Sequence, residues 1–144
     1  MTRIHPPRGE RFLVVRLAGR EFAVEAGAVA AVMQSPRLDI TPAAGPPGWS
    51  GLLQWQGRLL PVFWPNHQLG LPARPTTART CILLLTAPQQ ADEPAWAMRV
   101  DSVSRYEVVA RGYVRPGAQV RLGGKWRPIL NVNTIWRDWL FAAD

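Results

Sequence analysis

One pattern occurs twice in this sequence: Gly57-Arg58-Leu59-Leu60-Pro61-Val62-Phe63 in the first half, and Gly124-Lys125-Trp126-Arg127-Pro128-Ile129-Leu130 near the end. Each copy begins with a glycine turn and a basic residue, and each ends with a proline followed by two apolar residues. An asparagine-containing tail follows both copies, at residues 66–69 and 133–136. Small barrels closed by such hairpins leave few free strand edges. The repetition therefore predicts two small β-barrels of similar plan.

Three β-hairpins are predicted from apolar runs that flank short turns. They pair residues 12–17 with 20–24, residues 51–55 with 58–64, and residues 119–122 with 125–130, around the turns Ala18-Gly19, Gln56-Gly57 and Gly123-Gly124. Another apolar strand is predicted at residues 80–86 and its return at 95–100, with a polar turn at 87–94 between them. Because Pro61 has no N–H, we expect it at a sheet edge or a bulge.

Helical segments are expected to be short. Val29 and Val32 are three residues apart, which favours a helix over residues 26–33, and Val103 and Tyr106 repeat that spacing. The proline-rich residues 41–48 predict a loop. A last helix is expected at about residues 132–140, with Asn131 or Asn133 as its N-cap.

The 144 residues fit one compact domain. We expect a flexible leader at residues 1–11 and a single domain at 12–140. Within that domain, lobe one is placed at about 12–70, a connector at about 71–79 and lobe two at about 80–140. No apolar run approaches the ~20 residues of a membrane-spanning helix, and the polar start lacks an apolar signal. A cytoplasmic location is expected, with recruitment to membrane receptor arrays as a further option.

The charge balance leaves two kinds of partner open. Seventeen basic residues, of which only Lys125 is a lysine, stand against ten acidic residues and give a formal charge of +7. The arginines are spread along the chain, whereas a nucleic-acid-binding protein usually clusters them with aromatic residues. An acidic protein partner, or simple solubility, explains the excess equally well. A basic SH3-like module that binds RNA or DNA stays the alternative function.

Catalysis is not indicated by the reactive side chains. His5 and His67 lack the spacing of a metal pair or of a nucleophile's partner. Cys81 opens the apolar run at residues 81–85 and is expected to be a small buried hydrophobe. The adjacent Asp92 and Glu93 are expected to be solvated, and Gly123-Gly124 lacks the context of a phosphate loop. We expect no enzyme activity, no metal and no cofactor.

The ordered pieces of the chain resemble CheW-like domains over about residues 12–140. These pieces are the hairpin at 12–24, Val29-Ala30-Ala31-Val32, the proline-rich loop, the stretch 51–62, Val100-Asp101-Ser102-Val103 and the stretch 128–132. The resemblance implies an all-β fold of two SH3-like five-stranded β-barrel lobes with short helices. It also implies a non-catalytic adaptor that couples a CheA-type histidine kinase to chemoreceptors. In that family, binding is attributed to exposed barrel surfaces, including the second hairpin, and to the groove between the lobes.

The sequence departs from the family pattern at two positions near the second hairpin. The family commonly has Asn-Leu-Arg-Gly there, and this chain has neutral Gln56 in place of the arginine. Trp64 stands where the family commonly has an aspartate. A divergent adaptor in another sensory, motility or polarity system is therefore an equally good expectation, as is a protein that retains only self-association or one partner.

The seven tryptophans indicate where contacts are made. Their positions are Trp49, Trp55, Trp64, Trp96, Trp126, Trp136 and Trp139. Trp96 and Trp126 lie in apolar strands and are expected to pack internally, whereas Trp55 lies at a hairpin tip and belongs to a residue type enriched at binding hot spots. The predicted protein-binding surface consists of Gln54, Trp55, Gln56 and Gly57, with Val29, Val32 and Met33 as an apolar patch beside it. The expected partners are a histidine kinase regulatory domain, a chemoreceptor-type coiled coil, or both.

Overall fold

The computed structural model describes residues 9–34, 40–41, 49–87, 90–110, 114–115, 118–135 and 137. Their main elements are strands, so the expected all-β class is confirmed. The strands are β1 (Gly9–Leu17), β2 (Arg20–Glu25), β3 (Val29–Gln34), β4 (Ile40–Thr41), β5 (Trp49–Trp55), β6 (Arg58–Phe63), β7 (Cys81–Ala87), β8 (Gln90–Val100), β9 (Ser102–Ala110), β10 (Val114–Arg115), β11 (Gln119–Leu122) and β12 (Lys125–Pro128).

The three predicted hairpins are confirmed, and all have tight two-residue turns. The turn residues Gln56 and Gly57 have φ values of 45° and 75°, and Gly123 and Gly124 have φ values of 56° and 78°. Two consecutive residues with positive φ match the right-handed twist of the flanking strands, and glycine adopts this conformation without steric cost. The turn chemistry therefore fixes the register, for example Trp55 opposite Arg58.

The strands form three sheets. A three-stranded sheet has the order β2-β1-β9, a second has the order β10-β11-β12, and a six-stranded sheet has the order β3-β7-β8-β6-β5-β4. A parallel bridge between Ala23 and Ile129 links the two smaller sheets. Strands from both sides of residues 71–79 therefore share sheets, as β1 does with β9 and β3 with β7. The connector therefore does not separate the chain into two halves with sheets of their own.

The core is layered, because the central strands are buried on both faces. In β7, Leu83 and Leu85 face one cluster, which also contains Leu13 and Val15 of β1 and joins the β2-β1-β9 sheet to the six-stranded sheet. The alternate residues of β7, Ile82 and Leu84, face a second cluster on the far side of the six-stranded sheet. Strands buried on both faces read as continuous apolar runs.

A third cluster lies between the two three-stranded sheets, which together form a smaller body beside the six-stranded sheet. Phe12 and Val14 of β1 pack there against Val120 and Leu122 of β11. We call the three groups the central cluster, the six-strand cluster and the small-body cluster. β1 contributes to the central cluster on one face and to the small-body cluster on the other.

The predicted helix at residues 26–33 is wrong. Only a 3-10 turn, Ala26–Ala28, precedes the strand β3, which pairs with β7. The three-residue spacing of the valines was ambiguous, and β-branched valine favours a pleated strand once an apolar partner such as β7 is present. The same correction applies to Val103 and Tyr106, which lie in β9, and the expected polar turn at 87–94 is shorter because β8 begins at Gln90.

The expected cap of the last helix is present. Asn131 caps a helical turn at residues 132–135, since its Oδ1 accepts a hydrogen bond of 3.0 Å from the backbone N–H of Thr134. Residues 138–140 of the expected helix, residues 42–48 of the proline-rich loop and residues 1–8 of the leader lie outside the described residues. Pro61 lies in an interior strand rather than at an edge, yet the pairing with β8 begins only at the next residue, Val62.

Candidate protein-binding surfaces

The tip of the β5–β6 hairpin presents polar side chains to solvent. Gln54, Gln56 and Gly57 are exposed, as the sequence predicted. Trp55 is half-buried and packs against the six-strand cluster. The indole therefore anchors the tip to the core and leaves only part of its surface for a partner.

An apolar side chain that the sequence analysis missed lies next to this tip. Leu59 is 63% exposed and stands directly opposite Gln54 across the hairpin. Its strand neighbours Leu60 and Val62 point into the core, so strand alternation contained the signal for an outward Leu59. We call Gln54, Trp55, Gln56 and Leu59 the hairpin surface.

One ion pair ties the hairpin tip to the neighbouring strand. Arg58 Nη1 lies 3.2 Å from Glu93 Oε2, and both side chains are largely exposed. Surface pairs of this kind contribute ~0–1 kcal/mol. Glu93 lies in β8 and is partly neutralised by this contact, while Asp92 lies in the same strand.

The expected apolar patch on β3 is not a single surface. Val29 packs against the central cluster, whereas Met33 packs against the six-strand cluster on the opposite face of the sheet. Val32 is 44% exposed. A register shift between Val29 and Ala31 accompanies this arrangement, so Val32 shares the face of Val29 and not that of Met33.

Met33 and the hairpin are nevertheless connected through the core. Met33 and Trp55 both pack against the six-strand cluster, although β3 and β5 belong to opposite halves of the sheet. A sheet whose two halves pack on one cluster must curl around it, as a small barrel does. Met33 therefore packs on the same cluster as the inner side of the hairpin, whereas Val32 lies on a different surface.

Val32 lines a groove between the β2-β1-β9 sheet and the six-stranded sheet. The cavity has a volume of about 690 Å³. It lies where the central cluster reaches solvent, between the edge strand β3 and the strands β1 and β9. We call it the edge groove; it is lined by Arg16, Val32, Gln34, Arg79, Cys81, Ser102, Val103, Ser104 and Arg105.

A charged network supports one wall of the edge groove. Glu21, whose side chain is 9% exposed, lies 2.8 Å from Arg105, 3.1 Å from Arg127 and 3.9 Å from Arg16. Arg105 also contacts Glu107 at 2.6 Å. These residues come from β1, β2, β9 and β12, so the network connects the two smaller sheets.

The network shifts the pKa of both central groups. Burial alone would raise the pKa of Glu21, but the hydrogen bond from Arg105 and the positive charges of Arg105, Arg127 and Arg16 outweigh it, so the pKa lies below its ordinary value. The hydrogen bond to Glu107 and the contacts with Glu21 raise the pKa of Arg105. Both groups are held in their charged forms.

Trp64 and Arg99 form a second contact that the sequence analysis missed. The Arg99 guanidinium lies 3.8 Å from the centre of the Trp64 ring. Its Nη2 donates to the carbonyl of Arg74 at 3.1 Å and to Thr76 Oγ1 at 2.8 Å. Burial lowers the pKa of Arg99, although the charge of Asp101 opposes this. The pair holds the connector against β8.

Cys81 is buried, as expected. It is 4% exposed, and its Sγ donates to the carbonyl of Arg79 at 3.4 Å. Burial raises the pKa of this thiol against a smaller opposing effect of a hydrogen bond with the backbone of Val103. A raised pKa disfavours the reactive thiolate.

The described residues contain no cluster of three or more histidine, cysteine or acidic side chains arranged to hold a metal ion. His67 is exposed in the turn that follows β6. In the same part of the chain, no helix has the length and apolarity that crossing a membrane requires.

The structure is an all-β domain whose exterior carries an exposed hairpin tip and a groove. The family model described as CheW-like domain matches residues 11–136, and the chain therefore belongs to the CheW-like domain family. A crystal structure of the scaffolding protein TtCheW from Thermoanaerobacter tengcongensis is similar, with a TM-score of 0.73 and 17% sequence identity over 84% of this chain and 88% of that chain. No curated protein sequence matches the chain.

Family membership supports an adaptor role in chemotaxis-type signal transduction. Proteins of this family are non-catalytic scaffolds. Where this chain departs from the family pattern, the structure assigns a local role to one residue: Trp64 stacks on Arg99 and is only half-exposed. Gln56, at the other departure, is exposed at the hairpin tip.

Proposed function

We propose that this protein is a cytoplasmic, non-catalytic adaptor that couples a CheA-type histidine kinase to a receptor of a chemosensory, motility or related system. The observation that carries the proposal is the separation of two candidate sites. The hairpin surface lies beside the six-strand cluster, whereas the edge groove lies where the central cluster reaches solvent. An adaptor needs two surfaces that can be occupied at the same time.

We assign the kinase regulatory domain to the hairpin surface. Leu59 is an exposed apolar side chain, and Trp55 supports it from the core side of the hairpin. An apolar centre with a polar rim is the usual composition of a protein interface. Gln54 and Gln56 supply that rim without charge, so this contact does not depend on the arginine common in the family.

We assign the receptor segment to the edge groove. The groove combines the apolar side chains of Val32 and Val103 with the cations Arg16, Arg79 and Arg105. Arg79 is exposed and has no ion-pair partner among the described residues, whereas Arg16 and Arg105 are partly neutralised by Glu21. A coiled-coil segment with apolar and acidic side chains on one face complements this composition.

The arginine distribution is the reason to prefer a protein partner over nucleic acid. Arg16, Arg105 and Arg127 surround Glu21, Arg58 pairs with Glu93, and Arg99 is buried. Five of the arginines in the described part of the chain are thus paired with a carboxylate or buried, and these are less available to phosphates. Nucleic-acid binding would make the affinity fall steeply with salt, because phosphate contacts release counterions.

The test is a pull-down from lysate of the native cell at physiological salt, with and without nuclease, identified by mass spectrometry. The bait proteins are the wild-type chain, Leu59→Ser for the hairpin surface and Val32→Ser for the edge groove. Arg74→Ser is the matched control, because Arg74 is an exposed connector residue outside both surfaces.

The proposal predicts that the wild-type chain recovers a histidine kinase and a coiled-coil receptor regardless of nuclease. Leu59→Ser should lose the kinase and keep the receptor, and Val32→Ser should do the reverse. Recovery only of nucleic-acid-associated proteins that disappear with nuclease would refute the proposal. Loss of both partners in either variant would refute the assignment of two separate sites.

A further inference from the structure

Strand β9 has an edge without a backbone partner in the described part of the chain. It pairs with β1 along one side, from Gly9 opposite Ala110 to Arg16 opposite Ser102, and the sheet order β2-β1-β9 places it at the margin. The unpaired N–H and C=O groups of an edge strand are a template for another strand. Proteins usually protect such edges with charge, proline or a cover.

Besides the charged Arg105 and Glu107, β9 exposes two apolar side chains. Tyr106 is 52% exposed and Val108 is 59% exposed. They are two residues apart, so they project from the same face of β9. Leu59 and Val32 are the other large exposed apolar side chains named above, and both belong to the surfaces already assigned. The β9 pair forms a third surface that the proposed function does not use.

A slot runs along the same edge. A cavity of about 320 Å³ separates the end of β9 from the β11–β12 hairpin and is lined by Val108, Val109, Ala110, Arg121, Gly123 and Gly124. Val109 belongs to the small-body cluster, whereas Val108 points outward, so the cavity borders β9 along its edge rather than along one face. The glycine turn on the opposite wall adds no side chains to the slot.

The charges around Val108 indicate what the slot accepts. Arg11 stands directly opposite Val108 on β1, and Arg121 lines the slot from β11. Both arginines are exposed, and neither has an ion-pair partner among the described residues. Directly opposite residues have Cβ atoms ~4.5–5.5 Å apart, so Arg11 flanks Val108 closely. Arg121 stands across the slot from Val108, so an added segment that carries acidic as well as apolar side chains complements this edge.

We propose that the β9 edge binds an extended segment of a partner protein by strand addition, and that this segment alternates apolar and acidic residues. Main-chain hydrogen bonds to β9 supply affinity, contacts with Tyr106 and Val108 select the apolar positions, and Arg121 across the slot favours the acidic ones. A second copy of this chain is disfavoured as the occupant, because the formal charge of +7 makes two copies repel each other.

The test uses the full chain and fluorescein-labelled synthetic peptides, with binding followed by fluorescence anisotropy. The first peptide alternates glutamate and valine, the second replaces glutamate with lysine, and the third is the first peptide with N-methylated backbone amides. Hydrogen exchange of the chain, with and without the first peptide, locates the contact. Sedimentation equilibrium of the chain alone measures self-association.

The glutamate peptide should bind, the lysine peptide should not, and N-methylation should abolish binding. Arg121→Glu and Val108→Thr should each weaken binding by about fivefold or more. Arg74→Glu changes the net charge equally on the connector and should leave the affinity within about twofold. Both test residues are exposed, so the variants should fold, and Val108→Thr keeps a β-branched side chain.

Three results would overturn this inference. They are equal binding of the two charged peptides, hydrogen-exchange protection outside β9, and a stable dimer of the chain that Val108→Thr disrupts, since the last would make a second copy the occupant. Leu59→Ser and Val32→Ser should bind the glutamate peptide normally. Failure of the β9 inference is thus distinguishable from failure of the adaptor proposal.

Discussion

Removal of the Glu21 charge is the sharpest test of the network that joins the two smaller sheets. In Glu21→Gln, the side chain keeps its size but loses the carboxylate that contacts Arg105, Arg127 and Arg16. Breaking a buried ion pair by removing one partner costs ~3–5 kcal/mol. The three arginine side chains are 27–50% exposed, so solvent screens them and reduces the cost.

We therefore expect Glu21→Gln to lower the free energy of unfolding by about 2 kcal/mol at neutral pH. Urea unfolding followed by tryptophan fluorescence measures this value. The matched control is Glu25→Gln, because Glu25 is exposed in the same strand and has no ion pair among the described residues. The control should change the free energy by less than about 0.5 kcal/mol.

The loss should also depend on pH in a defined direction. The pKa of Glu21 lies below its ordinary value of 4.5, so its carboxylate stabilises the fold above that pH, and the stabilisation is lost as the pH falls through the lowered value. The difference between wild type and Glu21→Gln should therefore be largest at neutral pH and shrink on acidification below about 4.5. A difference that is below about 0.5 kcal/mol, or constant from neutral pH to pH 3, would refute the reasoning.

Three further outcomes follow from the structure. Trp55→Ala should weaken binding by more than about 1 kcal/mol in a titration with the captured kinase. Urea unfolding should show that the variant is also less stable than wild type, because Trp55 packs on the six-strand cluster. Arg99→Met should leave the free energy of unfolding within about 1 kcal/mol of wild type, since an apolar replacement removes a buried charge. Trypsin should nevertheless cleave after Arg79 faster than in wild type, because the connector has lost its hydrogen bonds to Arg99. Cys81 should react with a thiol reagent about 100-fold more slowly in the native protein than in urea, owing to its burial and raised pKa; rapid native labelling would contradict the fold around the edge groove.

Local features of the fold could be read from the sequence because they depend on neighbouring residues. Turns such as Gln56-Gly57 and Gly123-Gly124 require positive φ, and short apolar runs flank them. The cap at Asn131 is likewise a contact over three residues. The apolar run at residues 81–85 also indicated a strand and a buried Cys81, and both are confirmed.

The candidate sites depend on contacts between residues that are distant in the sequence, so they could not be predicted from local sequence patterns. The pairing of β3 with β7 decides that Val32 faces the edge groove and Met33 does not, and the spacing of valines alone pointed to a helix instead. The Glu21 network connects residues from four strands. Likewise, the partner of Trp64 is Arg99, which lies in a strand from beyond the connector.

The central claim is that the chain binds two partners at once through separate surfaces. Its most direct test is analytical ultracentrifugation of the purified chain mixed with the regulatory domain of the recovered kinase and a soluble segment of the recovered receptor. The account predicts one complex that contains all three proteins, which loses the kinase with Leu59→Ser and the receptor with Val32→Ser. Displacement of one partner by the other, with no ternary complex at any concentration, would contradict it.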